Sequence, residues 1–251
     1  MRRLTAVGAA VFASLVVTAG AGAITNGAPD GNGHPNVGAL LAPVAYSDGT
    51  WATCTGTLIS PTVFLTAAHC DQGLTHVNVT FDSNYNSATG TTHSGTWHAD
   101  PRFNQAAGHP YDIAVVVFDH PITTIAPARL PAANSLAKLK GGTKFMSVGY
   151  GAQSVTSGAG GKTFHYADIR YVATGGLYTV TPTWLKISMN PSHGDGGTCY
   201  GDSGGPNFLG STNIVAATTI TGDTPCRATN VDYRLDTAAA RSFLGQFVTL
   251  P

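Results

Sequence analysis

From residue 24 onward the chain is built of short apolar stretches, five to eight residues long, in which hydrophobic positions alternate with polar ones. Clusters of Gly, Asn, Asp and Pro separate them. A period of two bounded by turn formers predicts strands. They fall at Trp51–Leu58, Val77–Phe81, Ile113–Phe118, Lys144–Tyr150, Ile169–Ala173, Trp184–Met189, Ile214–Ile220 and Val231–Leu235. Pro121, Pro127 and Pro131 mark a connection between two strand-rich halves, and Ser154–Gly161 reads as a Gly/Ser loop. One segment changes period. Asp236 or Thr237 can cap a helix that opens at Ala238, and Phe243, Leu244 and Phe247 then recur at three- and four-residue spacing along one face. The pattern predicts an all-β fold with a C-terminal helix, its two halves suited to two small barrels.

Composition narrows the function. A length of 251 residues admits one large domain or two modest ones. The chain is 43% hydrophobic and 10% charged, enough apolar mass for a full core. Formal net charge is zero, so no basic surplus exists to neutralise nucleic-acid phosphates. All 13 acidic residues are aspartates, which excludes any mechanism that needs a glutamate. Met1-Arg2-Arg3, the uncharged apolar run Leu4–Thr18 and the small residues Ala19–Ala23 have the layout of a secretory signal peptide, with cleavage after Ala21 or Ala23. Export makes disulfides the expectation for the four cysteines. Three connectivities exist, and the local one pairs Cys54 with Cys70 and Cys199 with Cys226.

Three local patterns carry chemistry: Leu65-Thr66-Ala67-Ala68-His69-Cys70, Asp112-Ile113-Ala114-Val115 and Gly201-Asp202-Ser203-Gly204-Gly205-Pro206. A serine set among glycines has room for a substrate carbonyl, and a tight turn there can aim two backbone N–H groups at an oxyanion. Serine needs a base. His69 sits among small apolar neighbours beside a cysteine. Asp112 opens an apolar run, where a carboxylate is costly without a partner, and the His69 ring N–H is a natural one. The G-x-S-x-G elbow of an α/β-hydrolase is excluded, because that fold needs a histidine after the serine and none follows His193. An aspartic-peptidase dyad fails for want of a second Asp-Ser/Thr-Gly.

Taken in the order His, Asp, Ser, the three patterns resemble the trypsin/chymotrypsin-like serine peptidases, with the compact bacterial secreted members nearest in character. The resemblance runs from Ile24 to the C-terminal helix. It implies two antiparallel β-barrels with the active site between them, about 24–125 and 126–236, then a helix at about 237–248. It implies that Ser203 attacks the scissile carbonyl, His69 carries the proton, Asp112 orients His69, and the Gly201 and Ser203 amides hold the oxyanion. It also implies the local disulfide pairing, and an N-terminal amine at Ile24 that folds inward to pair with Asp202. Where trypsin-like members carry a pocket aspartate, this chain has Gly197, followed by Thr198, and Asp195 lies two residues too early. Cleavage after uncharged residues is therefore expected. Ala216-Ala217-Thr218 is expected in place of the usual Ser-Trp-Gly, with Ala216 and Thr218 along the substrate cleft. Neither metal nor cofactor is expected. The expected partners are protein or peptide substrates and protein inhibitors, with no nucleic acid and no membrane after leader removal; the enzyme is expected to be secreted and to act as a monomer.

Overall fold

A computed structural model of the chain describes residues 24–105 and 110–251. The expected leader, residues 1–23, lies outside the described residues. In order, the elements are β1 (Ala28–Pro29), β2 (Val37–Leu41), β3 (Ala52–Ser60), β4 (Val63–Thr66), β5 (His76–Thr80), β6 (His93–Ala99), β7 (Ala114–Phe118), β8 (Lys144–Gly149), β9 (Ser154–Gly158), β10 (Gly161–His165), β11 (Tyr171–Val180), β12 (Trp184–Ser188), β13 (Pro206–Leu209), β14 (Val215–Gly222), β15 (Thr229–Arg234) and α1 (Ala238–Leu244). No helix among the described residues is long and apolar enough to cross a membrane.

The strands close two antiparallel barrels. The first runs β2-β3-β4-β7-β6-β5 and shuts through the β2–β5 pairing. The second follows β11-β12-β15-β14-β13-β8 and shuts where β11 pairs back onto β8. Side-chain alternation decides which face turns in. In β5 the two valines of His-Val-Asn-Val-Thr are buried while His76 and Asn78 face water. Leu40, Leu58, Phe64, Val79 and Val116 fill the first barrel, and Phe145, Leu177, Leu185 and Ile187 the second. A third cluster draws Val37 and Leu65 from one barrel and Val148 and Phe208 from the other, and α1 lays Ala240, Phe243 and Leu244 on it. Burying each large side chain contributes about 2 kcal/mol. Thr237 caps α1, its Oγ1 accepting from the Ala240 amide at 3.2 Å. Asp236 is occupied instead by Arg234 and the Leu136 amide.

The stretch 154–161 departs from expectation. It is not an open loop but most of a hairpin, β9 and β10, with its turn at Ala159-Gly160 and Gly161 at φ of 104° where β10 begins. Val155 and Phe164 pack against the Cys199–Cys226 bridge, which gives the hairpin an apolar face.

One buried cation ties the N-terminal segment to both barrels. The Arg170 side chain is wholly buried; Nε donates to Asp30 Oδ2 at 2.8 Å, Nη1 to the Val37 and Phe81 carbonyls, and Nη2 to the Gly31 carbonyl. Removing one partner of such a pair strands the other charge out of water. Asp30→Ala is expected to lower the free energy of unfolding by about 3–5 kcal/mol, measured by chemical denaturation. A loss below about 1 kcal/mol, the range of a surface pair, would refute this role.

Candidate active site

Strand register brings the first two site residues together. Thr66 of β4 pairs with Ala114 of β7. His69 follows Thr66 by three residues in a 3₁₀ turn, and Asp112 precedes Ala114 by two, so both emerge at the same end of the barrel. Asp112 Oδ1 accepts from the His69 amide at 2.9 Å, and Oδ2 faces His69 Nδ1 at 2.7 Å. An acceptor-only carboxylate at Nδ1 places the ring proton there and leaves Nε2 as the basic nitrogen. Asp112 is buried, while a third of the His69 side chain remains exposed.

The second barrel supplies the serine. Ser203 lies in the turn between Cys199 and β13, and its carbonyl accepts from the Thr55 amide of β3 at 2.9 Å. The Thr55 hydroxyl donates to the Gly201 carbonyl at 3.0 Å and accepts from the Tyr150 amide. Gly204, at φ of 78°, seats the turn against β3 and the strand end before His69: a Cβ there would lie 2.6 Å from both the Ala67 amide nitrogen and the Thr55 carbonyl oxygen. Ser203 and His69 therefore line one cleft of about 460 Å³. Among the described residues, neither the Gly201 nor the Ser203 amide has an intramolecular acceptor, while the Asp202 amide between them donates to the Cys199 carbonyl. The two disulfides are Cys54–Cys70 and Cys199–Cys226, one beside His69 and one in the cleft wall. Cys54, His69 and Cys70 bring three metal-type ligand atoms together, but the two sulfurs are bonded to each other.

The cleft wall differs from the sequence expectation. Ala216, Ala217 and Thr218 are fully buried, and the residues facing the cleft are Thr219, Ile220, Thr221 and Gly222. Register shifts at Asn207/Phe208 and at Thr219/Thr221 displace the strand relative to a simple count. Ile220 supplies an apolar side chain to that wall. Thr198 lines the cleft and donates to Asn230 Oδ1 at 2.7 Å, and Asn230 donates onward to Asn207. Asn207 in turn donates to Asp232, whose burial pushes its pKa well up and favours the uncharged acid. Asn230, Asn207 and Asp232 escaped sequence reasoning, since buried polar residues inside a strand leave no motif. Gly197 backs the wall instead of lining it; it bridges Thr25, and a Cβ there would overlap Met189.

Three further aspartates bear on the site. Asp195 turns away to Lys144 Nζ at 2.8 Å; burial opposes its charge, but the Lys144 ammonium, the Ser188 hydroxyl and the Gly176 amide together hold its pKa low. Asp223, at the cleft rim, also has a pKa below the usual range. Burial opposes its charge, but the Thr229, Arg227 and Ala228 amides prevail. Burial lifts the pKa of Asp202 to about 7, against two backbone N–H bonds from Cys199 and Gly151. No cation pairs with Asp202 among the described residues. Ile24 is fully buried nearby in sequence to Thr25, which bonds the Gly197 and Cys226 carbonyls, and to Asn26, which bonds the Asp195 carbonyl.

A family model described as Trypsin matches residues 32–241. Brachyurin of Leptuca pugilator is 30% identical over 219 residues, spanning 82% of this chain and 92% of that protein. Among solved structures, HL collagenase superposes with a TM-score of 0.68 at 19% identity, covering 90% of this chain and 96% of that one. Human heparin binding protein does so with a TM-score of 0.65 at 16% identity, covering 88% and 95%.

Proposed function

Because the chain belongs to the trypsin family of serine endopeptidases, we propose that it cleaves peptide bonds with Ser203 as nucleophile, His69 as general base and acid, and Asp112 as the group that orients His69. The observation that carries this reading is the 2.7 Å contact between His69 Nδ1 and buried Asp112, with Nε2 left basic in the cleft that also holds Ser203. His69 Nε2 takes the Ser203 proton as Oγ bonds to the scissile carbonyl carbon. The Gly201 and Ser203 amides hold the resulting oxyanion, and Asp112 stabilises the imidazolium. His69 then protonates the leaving amine, and water hydrolyses the acyl-enzyme by the reverse sequence.

The pocket is read as selecting uncharged side chains on the acyl side. Its inner wall offers Thr198, the buried Asn230 behind it and Ile220; Asp195 is committed to Lys144, and Asp223 at the rim is held by the Thr229, Arg227 and Ala228 amides. A cationic side chain that reaches the inner wall meets no carboxylate there. The two disulfides accord with secretion after removal of residues 1–23, and each stabilises the fold by roughly 3 kcal/mol. Action as a monomer on extracellular proteins, checked by protein inhibitors, completes the proposal. Digestion of a mixed peptide library by the mature protein tests it. Cuts after small, aliphatic or aromatic residues are expected. Dominant cleavage after Arg or Lys would overturn the specificity, and no cleavage would overturn the peptidase reading.

A further inference from the structure

A second cavity, of about 340 Å³, adjoins the cleft. Tyr46, Ser47, Asp48, Thr50, Tyr166 and Gly201 line it, and Thr53 lines both cavities. The Gly201–Ser203 turn borders both, with Ser203 on the first and Gly201 on the second. The first holds Thr219–Gly222 of β14 and the Thr198–Tyr200 wall, so the acyl half of a substrate is assigned there. A chain that continues past Ser203 and Thr53 then leads its leaving half toward the second cavity.

The chemistry of that second cavity is distinctive. Tyr46 and Tyr166 give it two aromatic walls. Tyr166 stands against Gly201, at ordinary contact distance from where a Cβ would sit, and Tyr46 is held by a 2.7 Å bond from its hydroxyl to Thr53. Asp48 Oδ1 accepts from the Thr50 amide at 3.0 Å and the Thr50 hydroxyl at 2.7 Å, which fixes the carboxylate without consuming Oδ2. Among the described residues no cation pairs with Asp48. The other carboxylate close by, Asp168, is buried and taken up by the Trp51 and Ala52 amides. An anchored, solvent-facing anion beside two aromatic faces is a site for an ammonium or guanidinium group on a flexible apolar stem.

We propose that Asp48, with Tyr46 and Tyr166, selects lysine or arginine within the first two residues on the leaving-group side of the scissile bond. The proposal rests on the peptidase reading above and adds a charge preference opposite in kind to that of the acyl-side pocket. Because Asp48 is exposed, its attraction is partly screened, and the effect is set by an exposed ion pair plus cation–π contact: about 5-fold in kcat/KM at low salt.

The test uses peptides identical on the acyl side that carry Lys, Arg, Gln or Glu at the first or second leaving-group position. Lys and Arg are expected to exceed Gln by about 5-fold at one of these positions, with Glu below Gln, and the ratio is expected to shrink at about 0.5 M salt. Asp48→Asn keeps an acceptor for Thr50 and so keeps the turn; it should bring the Lys-to-Gln ratio to about 1, and Asp48→Lys should favour Glu instead. Equal cleavage of Lys and Gln peptides by the parent enzyme, or a cation preference that survives Asp48→Asn, overturns the inference alone. Cleavage of none of the peptides overturns the peptidase reading and this inference with it.

Discussion

Ser203→Ala is expected to cut kcat by about 10⁴-fold or more while the protein unfolds at the same denaturant concentration. Residues that act as one catalytic unit fail together, so losing the nucleophile leaves only what binding and the oxyanion donors supply. The fold should not notice. Ser203 is held through its main chain, the carbonyl bonded to Thr55, and the glycine that locks the turn is Gly204. Single-turnover assays and a serine-directed phosphonate check the assignment: the parent protein is labelled at Ser203, and the alanine variant is not labelled anywhere. Cleavage by the variant at near parental rate would remove Ser203 from the mechanism.

The second large effect concerns the N-terminus. Asp202 is buried with a pKa raised to about 7 and, among the described residues, no cation beside it. The sign follows from linkage. A carboxyl whose folded pKa lies above its unfolded value binds more protons in the folded state, so its burial costs stability as pH rises from about 4 to about 7. A free Ile24 amine, charged below its reference pKa of about 8, would remove that cost by pairing with Asp202. The residues that follow it already dock beside Gly197 and Cys226. Protein that keeps its leader is therefore expected to lose stability across that pH range and to be at least about 10²–10³-fold less active, the loss that follows when oxyanion donors are misplaced. Protein that begins at Ile24 should be active and lack that pH-dependent loss. Asp202→Asn should depress activity of the Ile24 form by a similar factor. N-terminal sequencing decides the matter: an active enzyme that begins at Gly22, or one unharmed by acetylation of the Ile24 amine, contradicts the pairing.

Alternation and turn chemistry reveal most of the strands but not all. All eight expected strands form, within a few residues of their predicted ends save for β11, which runs seven residues further to Val180. The strands that escaped had their period hidden. β2 is Val-Gly-Ala-Leu-Leu, buried at every position, so nothing alternates. β6, His-Ser-Gly-Thr-Trp-His-Ala, is largely polar and takes its order from pairing with β5 and β7. The stretch 154–161 reads as a loop because serine and glycine dominate it, and the apolar surface that receives Val155 and Phe164 is the sequence-distant Cys199–Cys226 bridge. The local motifs point to His69, Asp112 and Ser203; His69 and Ser203 line one cleft, and Asp112 contacts His69 Nδ1. The cleft wall was misplaced by three residues at its leading edge, since bulges leave no trace in residue identity.

Each disulfide closes within one barrel, Cys54–Cys70 in the first and Cys199–Cys226 in the second, and these bonds use all four cysteines. The only covalent route from one barrel to the other is the single strand of chain between β7 and β8. One cut in residues 119–143 would turn an intramolecular docking into an association between two fragments, each still braced within itself. The barrels would then hold one another at a local concentration no longer set by a tether, and turnover would depend on dilution. A nicked preparation of this enzyme should therefore be judged by how its specific activity scales with concentration, for its apparent size on a non-reducing gel reports only which half each bridge kept.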